Sequence, residues 1–216
     1  MKDIKLRELG DKIVLITFPS KKQLCNTFMR FQEFYESSDW RGRVFTKQEF
    51  EEWYSEGGKH SYHDDWEGFN IPSWVIEPFI EGVFDPLSEE EKAFLKLFKS
   101  KTGMFYIIGT CHDSDDELLS HEISHAMFYV NTNYRKEVVE TLKGMNGDVL
   151  ESIEKMLEND EYHPAVWQDE VHAYVLSHLN VLEKSGVDIK RLKEINEKLN
   201  EIYERHYRGL DIPQLS

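Results

Sequence analysis

Two stretches of this 216-residue chain, residues 12–18 (KIVLITF) and 103–110 (GMFYIIGT), carry the density of β-branched and aromatic side chains that a strand needs. Arg43-Val44-Phe45 could supply a short third. So few strands make at most a small sheet, and a small sheet is stable only when other elements cover its apolar faces. The rest of the sequence offers helices. Leu24, Phe28, Phe31 and Tyr35 recur at helical spacing over 20–37. Thr46-x-x-Glu49, Ser88-x-x-Glu91 and Ser114-x-x-Glu117 form three capping boxes. They predict helices running to about residue 56, to about 99, and from about 115 to 130. A short helix is expected over 73–81, and longer ones near 134–143, 147–159, 166–184 and 188–207. The segment 59–72 (KHSYHDDWEGFNIP), which follows Gly57-Gly58, reads as a loop. The fold class expected is therefore a helix-rich α+β chain.

Composition narrows the function classes. Hydrophobic residues make up 40% of the chain, enough for a sizeable core. The net charge of −15, with no Lys/Arg-dense run, argues against nucleic acid and anionic membrane as partners. No apolar run approaches the length of a transmembrane helix, and the charged N-terminal stretch lacks a signal-peptide core, so a cytoplasmic location is expected. The two cysteines, Cys25 and Cys111, form neither a disulfide framework nor a CxxC motif.

The chemistry is concentrated in His121-Glu122-Ile123-Ser124-His125. Histidines four apart on a helix share a face one turn apart, so both imidazoles can meet a single ion. Zn²⁺ takes neutral imidazole at about 2.0–2.1 Å, and a catalytic site keeps one position open for a water whose pKa falls to about 7. Glu122 is placed to take and return that water's proton. The same helix has a second apolar side, Leu119, Ile123, Met127 and Val130, which can pack on a sheet while the His/Glu side meets another layer.

The segment LLSHEISHAMFYV resembles the active-site helix of the zincin metallopeptidases, which share the HExxH motif. The resemblance covers roughly 104–176. It implies that His121 and His125 are zinc ligands, that Glu122 is the general base, and that an edge strand, here the one near 104–109, binds an extended peptide. The metzincin branch requires Gly and His where this chain has Phe128 and Asn131, and is excluded. The gluzincin branch takes a Glu from a later helix, and Glu170-x-x-Ala173 matches its context. Glu170 is then the third ligand, in keeping with a carboxylate set among Val166, Trp167, Ala173, Tyr174 and Val181 that needs a cationic partner. A Lys or Arg would be the other kind of partner. Where gluzincins often carry an Asp to orient a ligand histidine, this chain has Tyr174, so a backbone carbonyl or another carboxylate must do that work.

Several residues compete for roles. Asp169 could replace Glu170 as ligand. His172 and His178 read as structural histidines on the same helix. A donor for the developing oxyanion could be Tyr174, His172, His163 or Tyr207, with Tyr174 favoured as a catalytic residue because it lies one turn beyond Glu170. His60, His63, Asp64 and Asp65 could bind a divalent ion, but their spacing fits no defined site and they read as a solvated loop, and His112-Asp113 reads as a cap region more than as a ligand pair. Trp40, Trp53, Trp66 and Trp74 read as core, though some could line a substrate cleft. The organisation expected is an N-terminal helical or α+β part over 1–100, independent or fused into one domain, and a zincin-like catalytic part over 101–216. The function expected is that of a zinc-dependent metallopeptidase acting on a peptide or protein substrate. The alternatives are another zinc hydrolase, or a helical interaction or regulatory protein with a degenerate or structural site.

Overall fold

A computed structural model of the chain describes residues 3–56, 62–112 and 114–210. Strands β1 (Lys5–Leu9) and β2 (Ile13–Phe18) lead into helices α1 (Lys21–Glu36), α2 (Lys47–Glu56) and α3 (Tyr62–Asp65). Strand β3 (Gly68–Pro72), a 3₁₀ turn (Ser73–Ile76), α4 (Glu77–Ile80), α5 (Glu89–Lys96) and β4 (Tyr106–Cys111) follow. Helices α6 (Asp116–Val130), α7 (Thr132–Leu142), α8 (Gly147–Asn159), α9 (Trp167–Ser177), α10 (Leu179–Lys184) and α11 (Lys193–Tyr207) complete the chain. The fold is α+β, dominated by helices, with one four-stranded mixed sheet.

The sheet order is β1-β2-β4-β3, with β2 and β4 parallel and both outer strands antiparallel to their neighbours. Parallel neighbours need a long crossover, and the helices between β2 and β4 provide it. Side chains alternate across the sheet. Ile13, Leu15, Tyr106 and Ile108 enter a core shared with helices from the second half of the chain. Val14, Ile16, Phe18 and Ile107 enter an aromatic-rich core with Phe28, Phe31, Phe69 and Phe94. The sheet thus lies between two helical layers. Its strands come from both sides of residue 100, and ladder hydrogen bonds join the 1–100 and 101–216 parts along β4.

The N-terminal layer is pinned by a buried ion pair. Arg30 on α1 donates from Nε and Nη2 to the two carboxylate oxygens of Glu91 on α5, each at 2.6 Å. Its Nη1 donates to the carbonyls of Phe45 and Phe84. Glu91 also accepts from the Ser88 backbone N–H, closing the capping box that starts α5. Helix α1 approaches β4 closely at Gly109, where a Cβ would stand 2.5 Å from Phe28 Cε2 and 2.9 Å from Leu24 Cδ1. Gly109→Ala is therefore expected to destabilise the fold by about 1–3 kcal/mol through overpacking. Chemical denaturation measures this, and a midpoint equal to the native one would show that the layers can part without strain.

Several sequence expectations are corrected. Arg43–Phe45 is no strand: Val44 is exposed and Phe45 packs among Trp40, Phe50 and Phe84. The 59–72 stretch is not all loop, since it contains α3 and β3. The cap of α6 is Asp115, whose side chain accepts from the Leu118 N–H, whereas Ser114 Oγ accepts from the Cys111 N–H. The helix expected over 166–184 breaks at His178 into α9 and α10. The strand near 104–109 is not at an edge, because β4 lies between β2 and β3. Trp74 is not core, being partly exposed with its ring edge-on to Phe34 and Tyr35. Gly57, Gly58, His60 and Asp113 lie outside the described residues. Among the described residues, no helix is long and apolar enough to cross a membrane.

Candidate metal centre

Helix α6 carries the His121–His125 segment through the interior. Asp116 and Glu117 in its first turn complement the positive end of the helix dipole. One side of α6 packs on β3 and β4, and another meets α9. Residues 121–128 are all buried in consequence.

That crossing of α6 and α9 brings three side chains together. His121 Nε2 and His125 Nε2 are 3.1 Å apart, and His125 Nε2 is 3.7 Å from Glu170 Oε2. The ligand atoms of the three residues all lie within 4.8 Å of one another. Two tetrahedral zinc ligands stand roughly 3.3 Å apart, close to the 3.1 and 3.7 Å separations that His125 makes with the other two. Glu170 is buried, and among the described residues no Lys or Arg pairs with it and its Oε2 has no hydrogen-bond partner. A buried acceptor left in this state is expensive, and a cation at the convergence point would satisfy it. Among the described residues this is the one group of three or more His, Cys, Asp or Glu side chains able to hold an ion. The residues fit zinc in donor type, number and spacing.

The far nitrogens of both imidazoles have partners. Asp169 Oδ1 stands 3.0 Å from His125 Nδ1 and 3.2 Å from His172 Nδ1, ion-pair contacts that leave Asp169 Oδ1 and His125 Nδ1 without an aligned hydrogen bond. Asp169 therefore stands behind His125, while Glu170 is the carboxylate that converges with the two histidines. His121 Nδ1 lies 3.2 Å from Ser177 Oγ and 2.8 Å from His178 Nδ1, with the Ala173 carbonyl also in hydrogen-bonding contact. These partners favour a proton on Nδ1 and a lone pair on Nε2, the tautomer a metal ligand needs.

Electrostatics follow the same plan. Burial and the neighbouring histidines hold His121 well below the usual imidazole range, so it is neutral. For His125 burial works downward, but Asp169, Glu170 and Glu122 outweigh it and lift the imidazole to about 10. The carboxylates call for positive charge at this point. Burial raises Glu170 to about 8 despite the opposing effect of His125. Burial also raises Glu122, with His125 and the Asn70 hydrogen bond opposing it. Burial would raise Asp169 as well, but His125 and His172 outweigh it and keep it ionised.

A cavity of about 210 Å³ opens onto the cluster. Glu122 is held at its wall by Asn70, whose Nδ2 donates to Oε2 at 2.7 Å, while Asn70 Oδ1 accepts from the Tyr106 hydroxyl. Glu122 Oε1 occupies space that a side chain at residue 68 would take, since a Cβ on Gly68 would lie 2.3 Å away. Glycine at that position admits this carboxylate placement. Tyr174 lines the cavity, its ring 5.2 Å from that of His121, and its hydroxyl is hydrogen-bonded to that of Tyr162.

The other candidates lie elsewhere. His172 is fully buried, stacked on Phe128, with Nδ1 against the Asp169 carbonyl at 2.6 Å. His163 Nδ1 accepts from the Ala165 N–H, outside the cavity lining. Tyr207 stacks on Tyr203 along α11, also outside it. His63 faces Asn26, 3.3 Å away, and Asp64 is exposed. The cavity also has walls that sequence patterning did not single out: Gln32, Glu36, Gly68, Asn70 and Tyr162. Asn70 left a trace, as a polar residue between Phe69 and Ile71, but only strand pairing gives that trace a meaning. No protein-family model, curated protein or solved structure gives a significant match to this chain.

Proposed function

We propose that this protein is a zinc-dependent hydrolase of peptide bonds, a zincin-like metallopeptidase of the gluzincin kind. His121, His125 and Glu170 are its metal ligands, Glu122 its general base and Tyr174 its oxyanion donor. One observation carries the reading: two imidazole nitrogens and an unpartnered carboxylate oxygen converge beside a cavity that also holds a separate buried carboxylate. Zinc bound there would acidify a water and polarise the substrate carbonyl.

The chain's own residues supply the rest. Glu122 is raised by burial toward the range where a base works near neutral pH, and Asn70 fixes its orientation. It takes a proton from the attacking water and hands it to the departing amine. The Tyr174 hydroxyl, at the same cavity wall, donates to oxygen as negative charge develops. Substrate is not expected to add a strand along β3 at Asn70, since that N–H already donates to Gln32 Oε1 at 3.3 Å. Access is instead through the cavity, which is below the roughly 300–1,000 Å³ typical of sites for drug-sized ligands and suits a residue or two of a chain.

Elemental analysis of the purified protein tests the centre. Zinc is expected in the native chain and absent from His125→Ala and Glu170→Ala. A native chain that takes up no divalent ion from zinc-containing buffer would leave a helical interaction protein as the better description. Digestion of a peptide library then separates a peptidase from another hydrolase. Asp169→Asn is expected to weaken zinc affinity by about 10–100-fold, because the brace on His125 is lost while the ligands remain. Competition with a chromophoric chelator measures this, and an unchanged affinity would remove Asp169 from its bracing role.

A further inference from the structure

Glu36, the last residue of α1, takes no part in the steps above. Its side chain is 5% exposed and lines the cavity with Glu170, Tyr162, Tyr174 and Trp66. Gln32 Nε2 donates to Oε1, while Oε2 has no partner. The charged and titratable groups facing it from neighbouring elements are Glu170 and His125, with Glu33 beside it on α1. Tyr162 and Tyr174 also feel its charge. Among the described residues, no Lys or Arg pairs with it. Burial first, and Glu170 second, hold its carboxyl well above the ordinary range.

With Glu170 committed to a metal, Glu36 still offers a buried oxygen that no described residue satisfies. Such a group is costly to keep unless a ligand completes it. A donor carrying positive charge satisfies that oxygen and favours the carboxylate over the acid form that burial otherwise promotes. A guanidinium binds best through two parallel hydrogen bonds to both carboxylate oxygens, and Gln32 already occupies one. An ammonium, a compact charge, needs only the other. Aromatic rings at Trp66, Tyr162 and Tyr174 suit a cation as well.

We propose that Glu36 is a specificity residue that receives a primary ammonium group of the substrate, beside the metal centre. The group is either the free N-terminal amine of a peptide or a lysine side chain adjoining the scissile bond. This deepens the metallopeptidase reading and rests on it for the commitment of Glu170.

The test uses zinc-loaded protein carrying Glu122→Gln, in which turnover is blocked. Calorimetry compares three probes: a short Ala/Leu peptide amide with a free N-terminus, its N-acetyl twin, and an N-acetyl peptide bearing one lysine. At least one cationic probe is expected to bind about tenfold or more tightly than the neutral twin, and which one does so identifies the source of the ammonium. Adding Glu36→Gln should abolish the advantage while zinc content stays the same. Equal affinity for charged and neutral probes overturns the proposal without reference to any Glu36 variant, as does an advantage that survives Glu36→Gln. A chain without zinc that still shows the Glu36-dependent advantage would sink the metal reading and leave Glu36 as the ammonium-binding residue of a non-catalytic pocket. A chain showing neither would sink both.

Discussion

Glu122→Gln is expected to leave zinc content unchanged and to lower peptide turnover by about 10²–10⁴-fold, the usual contribution of a positioned acid–base group. Glutamine fills the same space, and its amide oxygen can still accept from Asn70 Nδ2, so the pocket should keep its shape. What it loses is the capacity to hold a proton between the attack of water and the departure of the amine. Separating the two readouts matters. Loss of zinc together with turnover would mean that Glu122 supports the ligands and does no proton transfer. Undiminished turnover at full zinc would sink its assignment as base.

Arg30→Ala is expected to destabilise the protein by about 3–5 kcal/mol, because it abandons a charge in the core instead of merely deleting a bond. Glu91 would keep its carboxylate buried with only the Ser88 backbone N–H as a clear donor, and the carbonyls of Phe45 and Phe84 would lose their donor. Denaturant unfolding measures the effect. The double replacement Arg30→Met with Glu91→Leu is expected to recover most of the loss, since a matched apolar pair needs no counter-charge. A single-variant effect below about 0.5 kcal/mol, as at an unremarkable surface site, would show that water reaches the pair.

What the sequence made legible follows the physics of each element. Strands β2 and β4 are covered on both faces, so they read as continuous apolar runs. Strand β1 (KLREL) lies at a sheet edge with mostly exposed side chains, and β3 (GFNIP) contains the Gly, Asn and Pro that ordinarily mark loops. Neither has a local signature, because each is a strand only by virtue of its neighbour. That His121, His125 and Glu170 come together could be anticipated because two of them lie in one motif and the third in a recognisable context. Whether Asp169 replaces Glu170 or braces His125 could not be read from spacing, since it depends on how α9 crosses α6. Glu36 looked like one more polar residue on an amphipathic helix. Its burial arises from cavity walls contributed by segments more than a hundred residues away in sequence.

The central position of β4 has a consequence for how the chain is made. Strands β2 and β3 are synthesised early, yet neither pairs with the other, and the slot between them stays open until residues 106–111 leave the ribosome. Until then the nascent chain displays unsatisfied backbone edges beside an aromatic-rich surface, a combination that invites association with other chains. The last strand to emerge closes the sheet, and the helix immediately after it bears the two histidines. The strand that fills the sheet and the helix that carries both histidines are therefore consecutive in the chain.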